Sequence, residues 1–258
     1  MQNKDSKIAD SKILDSRIQD SRIIVALDYA DAASALNLVN QLDPSLCKLK
    51  VGKELFTVAG PQFVEQLISK DFKVFLDLKF HDIPNTVAKA CEAASNLGLW
   101  MLNVHASGGS AMMQAAMEGV SKSKHTPYLI AVTVLTSMNQ TSLSEIGINT
   151  SIEDQVLKLA KLTQTSGLDG VVCSAQEAQI LRKQLGKEFC LVTPGIRPKL
   201  GNGQVNQDDQ SRVVTPADAL NNGASYLVIG RPITQAISPL KTLEAIAAEC
   251  LAATSLLA

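Results

Sequence analysis

The strongest constraint on the fold is an alternation. From Arg22 onward, short runs of apolar and β-branched residues take turns with segments of helical periodicity. The runs are RIIVALD (22–28), LCKLKVG (46–52), KVFLDLKF (73–80), WMLNVHA (100–106), PYLIAVTVLT (127–136), DGVVCSA (169–175), FCLVTPGI (189–196) and YLVIGRP (226–232). Helical patterns occupy 31–42, 60–70, 84–97, 109–122, 152–166, 176–185, 215–222 and 239–256. Near-continuous apolar strands separated by helices form parallel sheets with both faces covered. Eight such even units predict an α/β protein, a (β/α)8 TIM barrel, as a single domain over 22–258. A doubly wound open sheet is the alternative, but it seldom uses eight even units.

Composition narrows the function classes. A chain of 258 residues that is 46% hydrophobic builds one large core. A net charge of −1 shows no basic excess of the kind that suggests nucleic acid or an anionic membrane. No apolar run is long enough to span a bilayer, and no signal-peptide pattern stands at the N-terminus. Cys47, Cys91, Cys173, Cys190 and Cys250 are scattered without a CxxC pair, which reads as reduced thiols in a cytoplasmic protein. Residues 1–21 carry a five-residue repeat, DSKIA, DSKIL, DSRIQ, whose fourth copy, DSRII, runs into the first strand. Its period fits neither helix nor strand, so it is expected to be a poorly ordered tail.

Active sites of such barrels lie at the C-terminal ends of the strands. Ionisable and polar residues recur there: Asp28 after the first strand, Lys50 near the end of the second, and Asp77 and Lys79 on the third. His105 is on the fourth, Thr136 ends the fifth, Arg197 follows the seventh and Arg231 the eighth. The densest segment is DLKFHDIPNT (77–86). Residues i and i+2 of a strand share a face, so Asp77 and Lys79 project together, with Asp82 just beyond the strand end. Such a cluster in a barrel mouth is costly unless its charges pair or take part in chemistry. A structural ion pair is the plain alternative. A Mg2+ site is another, but an ammonium between the carboxylates competes with a divalent ion, so no metal is expected.

Gly230 and Arg231 in IGRPIT, with Arg197 in TPGIRP, occupy the loops after strands seven and eight, the usual phosphate site of these barrels. The plain reading is a tight turn with a surface arginine. The polar stretch 199–214 between them is long enough for a lid or a mobile surface loop. His81 and His105 lack metal-ligand spacing and read as packing residues, and MMQAAM (112–117) reads as the core face of a helix.

These segments together resemble the orotidine 5′-phosphate decarboxylase family of the bacterial kind. The similarity is carried in order by IVALD (24–28), LKVGKELF (49–56), DLKFHDIPNT (77–86), NVHASGG (103–109), AVTVLTS (131–137), GLDGVVCSAQE (167–177), LVTPGIRP (191–198) and VIGRP (228–232). The resemblance implies a homodimeric barrel with active sites shared across the interface. It implies conversion of orotidine 5′-monophosphate to UMP and CO2, the last step of de novo pyrimidine synthesis, without cofactor or metal. By the same resemblance Lys79 is the proton donor to C6, and Lys50, Asp77, Lys79 and Asp82 form an alternating charge network, with Asp82 given to the neighbouring site. Asp28 and Lys50 would contact the ribose, with Thr86 nearby from the partner subunit. Thr136 and Ser137 would lie at the pyrimidine, and Arg197, Gln210, Gly230 and Arg231 would hold the phosphate. Gln210 is placed only by its context, DQSR before VVTP, in a stretch longer than the family pattern implies. Two other readings stand beside this one: a metal-dependent sugar-phosphate lyase sharing D-x-K-x-x-D, and a non-catalytic barrel that binds a phosphorylated ligand.

Overall fold

The apolar runs pair as a parallel sheet that closes on itself in a computed structural model of the chain, which describes residues 21–198 and 214–255. The strands are β1 (Ile23–Leu27), β2 (Lys48–Gly52), β3 (Val74–Phe80), β4 (Met101–His105), β5 (Tyr128–Val132), β6 (Gly170–Val172), β7 (Cys190–Thr193) and β8 (Tyr226–Ile229). Each pairs with the next, and β1 closes the barrel on β8 with Val25 opposite Ile229. This is the expected (β/α)8 architecture.

The two faces of the strands separate two apolar clusters. On β1, Ile23, Val25 and Leu27 face outward into the main core under the helices, while Ile24 and Ala26 face the barrel axis. Phe75, Met101, Ile130, Val192 and Val228 join the axial cluster. Period-two alternation therefore survives inside strands that read as continuously apolar, because both faces are buried for different reasons.

The helices α1 (Ala32–Val39), α2 (Lys53–Ile68), α3 (Pro84–Ser95), α4 (Gly109–Ser121), α5 (Gln140–Glu145), α6 (Ile152–Thr165), α7 (Ala175–Leu185), α8 (Pro216–Asn221), α9 (Arg231–Thr234) and α10 (Pro239–Ser255) fill the connections. Local chemistry sets their starts. Asp31, Asn139, Ser151 and Thr215 each accept a first-turn backbone N–H, and Pro84 and Pro216 stand at the first turn, where the missing donor costs nothing.

The structure corrects two expectations and adds two short helices. The second helix starts at Lys53, seven residues before the expected start, because α2 is two helical pieces joined at Gly60, with φ 69° ahead of Pro61. Proline disfavours helical geometry in the residue before it, and glycine takes the left-handed alternative. The fifth strand ends at Val132, so Thr136 lies in the following turn instead of closing the strand. The short helices α5 and α9 were not expected from the periodicity. Residues 1–20 and positions 199–213 of the lid candidate, Gln210 among them, lie outside the described residues.

Candidate active site

The site begins with an irregularity in β3. Pairing with β4 runs Phe75–Met101 and Leu76–Leu102, then resumes at Phe80–Val104. Four residues of β3 are thus spanned by two of β4, and the strand bulges between Leu76 and Phe80. Lys79 sits in this bulge with φ 54°, a left-handed conformation uncommon for a residue with a side chain. Asp77 and Lys79 do come together, as their spacing suggested, but through a bulge and not a regular pleat.

Three ion pairs follow. Lys79 Nζ donates to Asp77 Oδ1 at 2.6 Å. Lys50 Nζ, from β2, lies 3.5 Å from Asp77 Oδ2 and 3.3 Å from Asp28 Oδ1. Asp77 is thus held by one lysine on each oxygen. Asp28 is open to solvent with 70% of its side chain exposed, whereas Asp77 retains 14%. Burial pushes the Asp77 carboxyl up, but Lys50, Lys79 and its hydrogen bonds pull harder and hold it below the ordinary carboxylate value. It is therefore an anion at neutral pH, fixed between two ammonium groups.

This cluster opens into a cavity of about 270 Å3 at the C-terminal end of the barrel. Of the residues singled out in the sequence, Asp28, Lys50, Asp77, Lys79, Thr136, Arg197, Gly230 and Arg231 line it. Its apolar side is made by Ala26, Phe75, Val132, Val172, Val192 and Val228, largely the top of the axial cluster. An apolar wall beside fixed charges strengthens their action on a bound molecule. A methyl group added at Gly230 would meet Ala26 and Asp28 at 3.6 Å, ordinary contact, so the chain itself leaves that position open.

Asp82, Thr86 and Ser137 do not line this cavity. Asp82 is exposed and accepts the backbone N–H of Ile83 at 2.6 Å; among the described residues it joins no ion pair. Thr86 is exposed on the first turn of α3, beside Ile83, which is 66% exposed. His81 and His105 stack with ring centroids 5.4 Å apart. Burial, followed by His81, Lys79 and Lys53, holds the His105 imidazole below its ordinary value.

Two buried polar residues escaped the sequence reading. Asn103, fully buried on β4, accepts the Lys79 N–H at 2.7 Å and donates to Asp77 Oδ1 at 2.7 Å. A lone amide in the apolar run MLNVH was the available signal, since a buried amide must find partners. Lys48, two residues before Lys50 on the same face of β2, is also buried. Its ammonium lies 4.9 Å from the rings of both Trp100 and Tyr226 and donates to the Ser21 carbonyl, closing the opposite end of the barrel.

Comparison with known proteins adds to this geometry. Residues 21–246 match the model of the orotidine 5′-phosphate decarboxylase / HUMPS family. The chain is 61% identical over 227 residues to an orotidine 5′-phosphate decarboxylase of Nitrosococcus oceani, covering 88% of this chain and 96% of that protein. It is 58% identical over 224 residues to one of Hydrogenovibrio crunogenus, covering 87% and 93%. The crystal structure of orotidine 5′-phosphate decarboxylase from Lactobacillus acidophilus superposes with a TM-score of 0.80 at 39% identity, covering 90% of this chain and 99% of that one.

Proposed function

The chain belongs to the orotidine 5′-phosphate decarboxylase / HUMPS family, and from that premise we propose that it converts orotidine 5′-monophosphate to UMP and CO2, the last step of pyrimidine nucleotide synthesis. The observation that carries this reading is the Lys50–Asp77–Lys79 cluster facing a cavity with an apolar wall.

The chemistry asks for such a cluster. Loss of CO2 from C6 leaves an electron pair in the plane of the pyrimidine ring, where the π system cannot spread it. The protein must supply the stabilising charge, already oriented before the bond breaks. Lys79 brings an ammonium whose position is held by Asp77, and the same ammonium donates a proton to C6. The C6–carboxylate bond breaks, CO2 leaves, and the C6 electron pair takes the Lys79 proton to give UMP. Lys50 keeps Asp77 ionised, and with Asp28 it is assigned to the ribose hydroxyls.

Thr136 and Ser137 are assigned to the pyrimidine, and Arg197, Gln210, Gly230 and Arg231 to the phosphate. Binding energy at the phosphate, far from C6, would help assemble the site around the reacting ring. Asp82 and Thr86 are assigned to the neighbouring site of a homodimer; their exposure outside the cavity and beside Ile83 supports that assignment. Five buried, unpaired thiols fit a cytoplasmic setting. No helix among the described residues is long and apolar enough to cross a membrane.

No cofactor or metal is assigned to the reaction. The carboxylates of Asp28 and Asp77 already hold ammonium groups where a divalent ion would need to sit. The test is the fall in orotidine-phosphate absorbance on adding purified protein with EDTA present. Turnover under EDTA is expected. Activity seen only with added metal would favour a metal-dependent lyase, and tight UMP binding without turnover would favour a binding protein.

A further inference from the structure

The bulge that carries Lys79 raises a physical problem. A left-handed lysine is strained, and its N–H has left the ladder between β3 and β4. Such a conformation persists only where its surroundings over-determine it. The described contacts place one side chain in that role. Asn103 Oδ1 takes the orphaned Lys79 N–H at 2.7 Å, and Asn103 Nδ2 donates to Asp77 Oδ1 at 2.7 Å. That same oxygen accepts from Lys79 Nζ at 2.6 Å. The result is a closed loop from the Lys79 backbone through Asn103 and Asp77 to the Lys79 ammonium.

A neutral amide suits the position because it accepts on one atom and donates on the other. Aspartate would accept the Lys79 N–H but bring a second carboxylate against Asp77. Leucine would leave the N–H unpaired and release the backbone. Asn103 is not among the residues lining the cavity, so any effect it has on the reaction passes through Asp77 and Lys79.

We propose that Asn103 is a positioning residue: it sets the left-handed backbone of Lys79 and the orientation of the Asp77 carboxylate, so that the ammonium is fixed where C6 is protonated. The catalytic part of this proposal rests on the decarboxylase reading; the geometric part does not.

The experiment uses full-length Asn103→Leu and Asn103→Asp. For Asn103→Leu, kcat falls about ten- to a hundredfold, the scale of a displaced reacting group. UMP affinity by calorimetry changes by less than about threefold, because the ribose and phosphate contacts are untouched. For Asn103→Asp, two adjacent carboxylates share a proton, so kcat is expected to decline with rising pH over a range where the parent protein, with a single carboxylate at that place, is expected to stay level. The groups facing that pair are Lys50 on β2 and Lys79 on β3, with the stacked His81 and His105 at the rim. A merely structural role would lower melting temperature without splitting kcat from UMP affinity and without adding a pH limb. If Asn103→Leu does not fold, the nearly isosteric Asn103→Asp decides the question. Parent-like kcat in the variants, or loss of kcat and UMP affinity in step, overturns the proposal. A crystal structure of either variant tests the geometry without turnover: Lys79 leaves the positive-φ region or Asp77 rotates, and retention of both overturns the proposal. A parent protein without turnover, together with a displaced Lys79 in the variant, would sink the decarboxylase reading and leave the positioning role standing.

Discussion

In the proposed reaction the chemistry concentrates on Lys79. If it is the proton donor, truncation in Lys79→Ala removes both the charge facing C6 and the proton, so kcat should drop by at least about a hundredfold while the barrel stays folded. Near-normal UMP formation by that variant would refute its role. Asp77 makes a second prediction. Its folded-state carboxyl titrates below the ordinary 3.8, so the stability it contributes is complete above that value and is lost as pH falls through the lower, folded one. Melting curves between about pH 5 and 2.5 should show less acid dependence in Asp77→Asn than in the parent chain. The thiols give a third. All five are buried, and desolvation pushes Cys47, Cys91, Cys190 and Cys250 up to about 12 and Cys173 further still. A thiol reagent at neutral pH should leave the native protein unlabelled and modify all five after denaturation.

Between single residues and the barrel lie the elements that hold the site in place. Helix α3 begins just after Asp82 and carries Thr86, and it packs on α4 so closely that a methyl group at Gly119 would lie 2.1 Å from the Ala88 carbonyl oxygen. Gly119→Ala must push the two helices apart, at a cost of about 1–3 kcal/mol. Chemical denaturation should record that loss, and an unchanged midpoint would mean that α3 shifts freely. Strand β3 shows the limit of pattern reading at this level. Its spacing placed Asp77 and Lys79 side by side, and the structure agrees on the contact. The bulge that makes the contact leaves no mark on periodicity, since the residues involved, DLKF, fit a regular strand equally well. The break at Gly60 was legible in principle from the Gly–Pro pair, but Lys53 to Ala59 lacks a cap that would announce a helix; Gly52 at the cap position makes no side-chain bond.

For the assembled molecule, the proposed sharing of sites makes a further prediction. Lys79→Ala and Asp82→Ala subunits, each inactive alone, should regain part of the activity when exchanged into mixed dimers, because one of the two sites then carries an intact Lys79 and an intact Asp82. Verified exchange without recovery would place Asp82 in its own subunit's site. Much of this protein was determined along the chain itself. Eight even apolar runs separated by helices favour a parallel barrel over an open sheet, and the ends of those runs identify Asp28, Lys50, Asp77, Lys79, Arg197 and Arg231 as a converging set, because in such a barrel the C-terminal ends of all strands face one mouth. What folding in three dimensions added is the partnership of distant residues. Asn103, 24 positions from Lys79, and Lys48, set between Trp100 and Tyr226, acquire their roles only when neighbouring strands meet. Hydrogen bonds and ion pairs depend on distances of a few ångströms, and separation along the chain does not encode them.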